Sequence, residues 1–140
     1  MIRYIKYQAK RTDKYNGKWY LRAVSDETVD LEGLAKHMAS HNSPYSAGTI
    51  HGVLKDMVAC VKELVLDGKK VKLADLAIFS AVISSMPAET AKECTAADCV
   101  RNVHLGARAT GELRSMLLTR EARKTHLTPY SAPSDPDGGQ

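Results

Sequence analysis

Histidines and cysteines are the side chains of this chain whose spacing could bind a metal ion. His37 and His41 stand four residues apart, which would place two imidazoles on one face of a helix. Cys94, Cys99 and His104 follow at intervals of five residues, whereas zinc sites usually contain cysteine pairs with two to four residues between them. Neither group has a further ligand at a suitable spacing. We therefore expect a solvated helix face at His37 and His41, and no metal or cofactor.

The sequence contains no motif that indicates catalysis. It has no glycine-rich phosphate loop, no Gly-x-Ser-x-Gly and no pair of carboxylates in a helical context. Scattered serine, histidine and aspartate residues occur in most proteins, and a triad cannot be assembled from them by sequence alone. We expect a protein that is not an enzyme, with no catalytic residues and no small-molecule substrate.

Positive charge is concentrated at the N-terminal end of the chain. The 140 residues carry a net charge of +4, and the first 28 residues hold seven basic and three acidic side chains. This short segment therefore accounts for a charge as large as that of the whole chain. Such a balance permits a polyanionic partner. The alternative is that these charges only keep an edge hairpin soluble.

Cysteine usage and hydropathy indicate a protein of the cytoplasm. Three cysteines are an odd number, which argues against a disulfide framework and favours reduced thiols. The first residues, Met1 to Lys6, lack the apolar segment of a signal peptide. No apolar run approaches the roughly 20 residues that span a bilayer, so we expect no membrane contact. Cys60 falls within a long helical pattern and is expected to be buried.

The N-terminal 28 residues are predicted to form a β-hairpin. Residues 2–9 alternate in polarity and are rich in β-branched and aromatic side chains, which predicts a strand. Asn16-Gly17 is a turn signal, and residues 18–24 predict the returning strand. Trp19 is expected to make a cross-strand core contact. Stacking of Trp19 on a nucleic-acid base is the alternative.

Two helices are predicted to follow the hairpin. Asp30 is a suitable N-cap for a first helix, and Ser46 for a second. Apolar residues recur at helical spacing from Ile50 to Val65, and Gly68 is typical of a residue that ends a helix. The apolar stripe of the second helix is wide. It therefore needs a cover, either a sheet or a second subunit.

The remaining pattern predicts a sheet, a short helix and a tail. Residues 71–73 and 76–83 predict strands, residues 86–98 a loop or flexible arm, and residues 100–105 a returning strand. Thr110 is the expected cap of a last helix. Residues 125–140 are predicted to form a disordered tail. The sequence thus indicates an α+β protein with one domain over residues 1–124, of which residues 1–28 are an extension.

Several of these segments resemble the bacterial histone-like HU/IHF family. Leu34-Ala35 matches a position in the first helix of that family, and residues 66–73 are similar to its turn and strand, which end in G-x-x-V-x-L. Residues 73–79 stand where the family has L-x-G-F-G-T-F, with Asp75 and Ala77 in place of the two glycines. Arg108 and residues 112–117 resemble the closing helix. The resemblance covers residues 2–118, and the hairpin is similar to a subgroup with an added N-terminal β extension.

The resemblance implies an intertwined homodimer of the IHF-like fold. Such a dimer has a base of helical hairpins, antiparallel sheets with a β-ribbon arm, and a short C-terminal helix. In the family, the arms enter the minor groove, where proline wedges bend the duplex. Lysine and arginine side chains contact the phosphates. The resemblance therefore implies a nucleoid-associated architectural protein of the cytoplasm, whose partners are double-stranded DNA of little sequence preference and a second copy of the chain.

The DNA-binding residues that we expect are basic side chains of the hairpin turn, of the sheet and the turn before it, of the arm and of the last helix, together with one proline. Over residues 84–95, where the family has a basic arm tip, this chain has one basic residue and two acidic residues. That difference favours an alternative function, a dimeric protein-interaction module that has lost DNA binding. The predicted site comprises Lys10, Arg11, Lys14, Lys69, Lys70, Lys72, Pro87, Lys92, Arg101, Arg108 and Arg114.

Overall fold

The computed structural model describes residues 1–126, and residues 127–140 of the predicted tail lie outside the described residues. The chain is a mixed α+β protein, as predicted. It divides into two compact units. Of the described residues, one unit contains Met1–Thr28 and residues 121–126, and the other contains Val29–Arg120. No described helix is long and apolar enough to cross a membrane.

The first unit is a three-stranded sheet built on the predicted hairpin. Strand β1 (Ile2–Gln8) pairs antiparallel with β2 (Trp19–Val24), and the turn between them uses Gly17 at a φ of +76°. A third strand, β6 (Lys124–His126), pairs parallel with β1. The sheet order is therefore β2-β1-β6. The sequence analysis did not predict β6, and the predicted disorder is wrong at residues 125 and 126, which belong to this strand because they pair with β1. The domain limits at residues 124 and 125 stay a prediction.

The two predicted helices of the second unit begin at the predicted caps. The Asp30 carboxylate accepts a hydrogen bond from the Gly33 amide at 2.8 Å, and α1 runs over Leu31–Ser40. The Ser46 hydroxyl accepts from the Thr49 amide at 3.2 Å, and α2 runs over Ala47–Leu66. Both caps satisfy backbone donors that a first helical turn leaves without a partner.

Helix α2 ends in a Schellman motif at the predicted glycine. Gly68 has a φ of +76°, a conformation that costs glycine little. Its amide donates to the Val65 carbonyl at 3.1 Å, and the Lys69 amide donates to the Leu64 carbonyl at 3.0 Å. This pair of hydrogen bonds is the pattern that defines the motif. The turn directs the chain into the sheet.

The sheet of the second unit has the strand order β3-β4-β5 and is antiparallel throughout. Its strands are β3 (Val71–Leu73), β4 (Ala77–Ser85) and β5 (Val100–Ala109). The connection between β4 and β5, predicted as a loop or arm, contains a short helix, α3 (Ala96–Cys99). Thr95 caps α3, because its hydroxyl accepts from the Asp98 amide at 3.3 Å.

The C-terminal helix begins later than predicted. A 3-10 turn (Gly111–Leu113) precedes α4 (Ser115–Glu121), and the Thr110 side chain makes no capping hydrogen bond. The predicted cap at Thr110 is therefore wrong. The reason is Gly111, which has a φ of +59° and so cannot continue an α-helix from Thr110.

Few side chains of the described residues are buried, and the buried ones are small or aliphatic: Ala9, Ala35, Ile50, Val65 and Cys99. Cys60 is exposed, so its predicted burial is wrong. Trp19 is 66% exposed, and the predicted cross-strand core contact is also wrong, because its neighbour across the ladder is the polar Gln8. Periodicity identifies apolar positions correctly here, but it does not show what covers them.

Candidate nucleic-acid interface

One face of the sheet of the second unit, which we call the polar face, carries basic side chains beside the apolar Ile78 and Val82. The strand register places Lys72 opposite Ile78, and Ile78 opposite Arg108. Residues directly opposite one another project to the same side of a sheet, so the two cations lie on one face across three strands. Both side chains are exposed. This face therefore presents two permanent positive charges on a rigid element.

A shallow groove of about 330 Å³ lies beside these charges. Lys70 and Arg108 line it, with Ser80 between them on β4, and none of the lining residues is acidic. Gly106 keeps the groove open, because a Cβ atom there would lie 2.7 Å from the Val82 side chain. The groove thus combines two cations and a hydroxyl, which are the groups that bind phosphate oxygens.

Two residues with a left-handed backbone conformation fix the end of the sheet next to this face. Asp75, in the turn between β3 and β4, has a φ of +60°, and Gly111 has a φ of +59°. A Cβ atom on Gly111 would lie 2.6 Å from the Asp75 Cα atom, so only glycine allows this approach. The Thr110 amide also donates to the Leu76 carbonyl at 3.1 Å. The segment that carries Arg114 is therefore held against the β3–β4 turn.

The connection between β4 and β5 differs from the ribbon arm that the family resemblance implied. The ladder ends at Ser85 and Val100, with a register shift beside Ser84. Beyond it, the Glu93 and Cys94 amides both donate to the Thr90 carbonyl at 3.2 Å, and α3 follows. Residues 86–99 thus form turns and a helix. Pro87 and Lys92 are exposed in this connection, and Arg101 is exposed at the start of β5.

The predicted cations of the hairpin lie in the turn of the first unit. Arg11 pairs with Asp13 at 3.0 Å, and the Lys14 ammonium lies 5.1 Å from the centre of the Tyr15 ring. Lys10 is exposed in the same turn. In the second unit, Lys69 pairs with Asp67 at 2.5 Å. Acidic neighbours therefore offset the charges of Arg11 and Lys69, in contrast to the cations of the polar face.

Sequence reasoning identified Lys70, Lys72 and Arg108, which the fold brings together, but it missed Ser80 and Gly106. The signal for these two was present in the alternation of residues 78–84 and 102–108. Strands of period two leave every second residue on the face opposite the core. Without the register, however, the sequence does not show that the two strands are neighbours.

The other face of the same sheet is apolar and forms a groove with α2. The groove has a volume of about 430 Å³, and Val61 and Val65 line it from α2. Phe79 and Leu105 line it from the sheet. Leu105 remains 59% exposed. This groove offers an apolar partner a large surface, and it offers few hydrogen-bonding groups.

The histidines and cysteines among the described side chains do not assemble into a metal site. The His37 and His41 Nε2 atoms lie 3.2 Å apart on α1, and among the described side chains no three potential ligands come together. The pKa of the Cys99 thiol is raised by its hydrogen bond to Cys94 and by burial. A raised pKa disfavours the thiolate, which is the form that binds zinc. The expectation that no cofactor is bound stays a prediction.

Comparison with known proteins gives a family and a fold. The model of the HU-HIG family, described as an HU domain fused to a wHTH, Ig or glycine-rich motif, matches residues 2–124. No curated protein matches the chain. A solved structure from Bacteroides vulgatus ATCC 8482, named "Putative bacterial DNA binding protein", is similar with a TM-score of 0.66 at 16% sequence identity. The similarity covers 90% of this chain and 47% of that one, so this chain spans about half the length of its structural neighbour.

Proposed function

We propose that this chain, which belongs to the HU-HIG family of HU domains fused to other motifs, binds double-stranded DNA through the polar face of its second sheet. The observation that carries the proposal is that Lys72 and Arg108 share this face, beside a groove that Lys70 and Arg108 line and that has no acidic lining residue. Cations arranged in this way neutralise phosphates and release counterions. The name of the Bacteroides vulgatus structure supports the same role.

The expected binding has little sequence specificity. Contacts to phosphates position a protein on the duplex, but they carry no direct information about the sequence. The groove offers lysine, arginine and serine, all of which bind phosphate oxygens. We therefore infer a non-enzymatic, architectural role at the nucleoid, in the cytoplasm. The remaining predicted positions stay predictions: Lys10, Arg11, Lys14, Lys69, Pro87, Lys92, Arg101 and Arg114.

The proposal includes a homodimer. The apolar groove between α2 and the sheet leaves Val58, Val103 and Leu105 more than half exposed. Contiguous apolar surface of this kind usually marks an interaction site. A second copy of the chain would cover the groove, and the polar faces of the two sheets would then act on one duplex.

A protein-interaction module without DNA binding is the second candidate function. It is favoured by the connection between β4 and β5, where Glu89, Glu93 and Asp98 outnumber the single basic residue, Lys92. Carboxylates at this place would repel phosphates. This candidate predicts that duplex DNA does not bind at low salt.

The double variant Lys72→Gln/Arg108→Gln tests the assignment of the polar face. Loss of two phosphate contacts should lower the affinity for a labelled duplex and reduce the salt slope, d log K/d log [salt], by about 2. Fluorescence anisotropy over a series of salt concentrations measures both quantities. The matched control, Lys36→Gln/Lys55→Gln, removes the same charge from α1 and α2. Equal losses in the two variants would show that net charge, and not this face, binds the duplex.

A further inference from the structure

The hairpin of the first unit carries an aromatic and basic face that the proposed function does not use. The register places Tyr7 opposite Tyr20 and Ile5 opposite Arg22, so Tyr7, Tyr20 and Arg22 project to the same side of the ladder. The two rings are stacked, with centroids 5.9 Å apart and an interplanar angle of 30°. The Arg22 guanidinium carbon lies 5.9 Å from the centre of the Tyr7 ring. The three side chains form one cluster on this side of the hairpin, which we call the stacking face.

The stacking face is open to a ligand. Tyr7 is 43% exposed, Tyr20 is 37% exposed, and Arg22 is also exposed. No described helix lies within residues 1–28, so the hairpin has no helix of its own to cover this face. A cross-strand aromatic pair stabilises a hairpin by itself. Stability alone, however, does not require an exposed guanidinium beside the rings.

The charge of the hairpin favours an anionic ligand. Its seven basic residues exceed its three acidic ones, and Arg3 and Arg11 already pair with Asp26 and Asp13. Among residues 1–126, no ion pair forms with Lys18 or with Arg22. Unpaired cations around exposed rings are the combination that binds a strand of nucleic acid, because cations hold the backbone and rings hold the bases.

We propose that the stacking face binds single-stranded nucleic acid, with unpaired bases stacked on Tyr7, Tyr20 and the Arg22 guanidinium. Bases inside a duplex already stack on one another, whereas single-stranded bases expose their faces to aromatic and guanidinium groups. The inference rests on the proposed function only in taking the anionic partner to be a nucleic acid. It uses a different unit and different residues. A protein strand that pairs with the open edge of β2 is the competing occupant.

The 140-residue chain is titrated against a labelled oligothymidylate and, separately, against a labelled duplex, with anisotropy as the readout. Tyr7→Leu/Tyr20→Leu keeps apolar side chains on the strands but removes the rings. We expect its affinity for the oligothymidylate to fall roughly tenfold or more, with duplex affinity unchanged. Arg22→Lys keeps the charge but removes the planar group, and we expect a loss of several-fold. The matched control is Trp19→Leu, which removes an exposed aromatic ring from the opposite face and should bind like the parent.

Three results would overturn the inference. These are a parent that does not bind the oligothymidylate, a Tyr7→Leu/Tyr20→Leu variant that binds like the parent, and an equal loss in Trp19→Leu. Should the tyrosine variant fail to fold, Arg22→Lys retains both rings and decides the question. Absence of oligothymidylate binding would favour a protein strand at β2.

The same titrations separate this inference from the proposed function. Lys72→Gln/Arg108→Gln should lose duplex affinity and keep its affinity for the oligothymidylate. A parent that binds the oligothymidylate but not the duplex would overturn the proposed function and support the inference. A parent that binds only the duplex would overturn the inference alone.

Discussion

At the scale of single residues, the contact between Asp75 and Gly111 tightly constrains the backbone of the second unit. Both residues are left-handed, and the place for a Cβ atom on Gly111 is taken by Asp75. Aspartate tolerates this conformation better than most residues that have a side chain. This explains how Asp75 can occupy a position at which the HU/IHF family has a glycine.

Gly111→Ala is expected to destabilise the protein by about 2 kcal/mol or more, because the new methyl group meets the Asp75 backbone and alanine disfavours a positive φ. Urea unfolding measures the change. Gly52→Ala is the matched control. It lies inside α2 with no atom within 4 Å of the added Cβ, and it should stabilise by about 0.5–1 kcal/mol. Equal effects at the two glycines would contradict this account.

Residue-level prediction succeeded where the chemistry is local. The caps at Asp30 and Ser46 and the left-handed Gly68 follow from hydrogen bonds within a few residues, and the sequence carries all the information they need. Prediction failed for Trp19 and Cys60, because burial depends on what another part of the molecule places over a side chain. The sequence indicates that a position is apolar, but not that it is covered.

At the scale of elements, the long helix α2 depends on its N-cap. Ser46→Ala removes the side-chain acceptor of the Thr49 amide, and we expect a loss of about 1 kcal/mol in the free energy of unfolding. Urea unfolding monitored by circular dichroism measures it. Ser46→Asp supplies another acceptor and a favourable charge at the helix N-terminus, so it should retain the stability of the parent. A stable Ser46→Ala together with an unstable Ser46→Asp would contradict the capping role.

The elements that sequence analysis missed are short or depend on distant partners. Helix α3 has four residues, fewer than a periodic pattern needs to be visible. Strand β6 has three residues and exists through its parallel pairing with β1, at the other end of the chain. Local composition at residues 124–126 gives no sign of that pairing. The hairpin, α1, α2 and the strands of the second sheet were predictable, because each has turn or cap residues beside it.

At the scale of the whole molecule, the chain leaves more apolar surface open than a protein that acts alone would be expected to leave. Large apolar side chains lie on the walls of the groove between α2 and the sheet, and the few buried side chains are mostly small. The wide stripe on α2 predicted this need for a cover. The sequence left open whether a sheet or a second subunit provides it. The structure shows that the sheet covers only part of the stripe.

The Leu105→Glu variant tests whether a second copy of the chain covers the groove between α2 and the sheet. A carboxylate on a groove wall would lose hydration in a dimer, so we expect the variant to be monomeric at concentrations at which the parent is dimeric. Light scattering after gel filtration measures the mass. Asn102→Glu is the matched control, since it adds the same charge to β5 on the side opposite Leu105 and should leave the dimer intact. A parent that is monomeric at micromolar concentration would contradict the proposed homodimer.

Duplex binding as a function of salt tests the central claim most directly. The 140-residue chain is titrated into a labelled duplex of arbitrary sequence, and anisotropy is recorded at several salt concentrations. Binding through the polar face predicts micromolar or tighter affinity at low salt. The logarithm of the binding constant should then fall linearly with the logarithm of the salt concentration. The slope would report the number of phosphates contacted. Absence of binding even at low salt would contradict the claim and leave an HU-type scaffold whose partner is a protein.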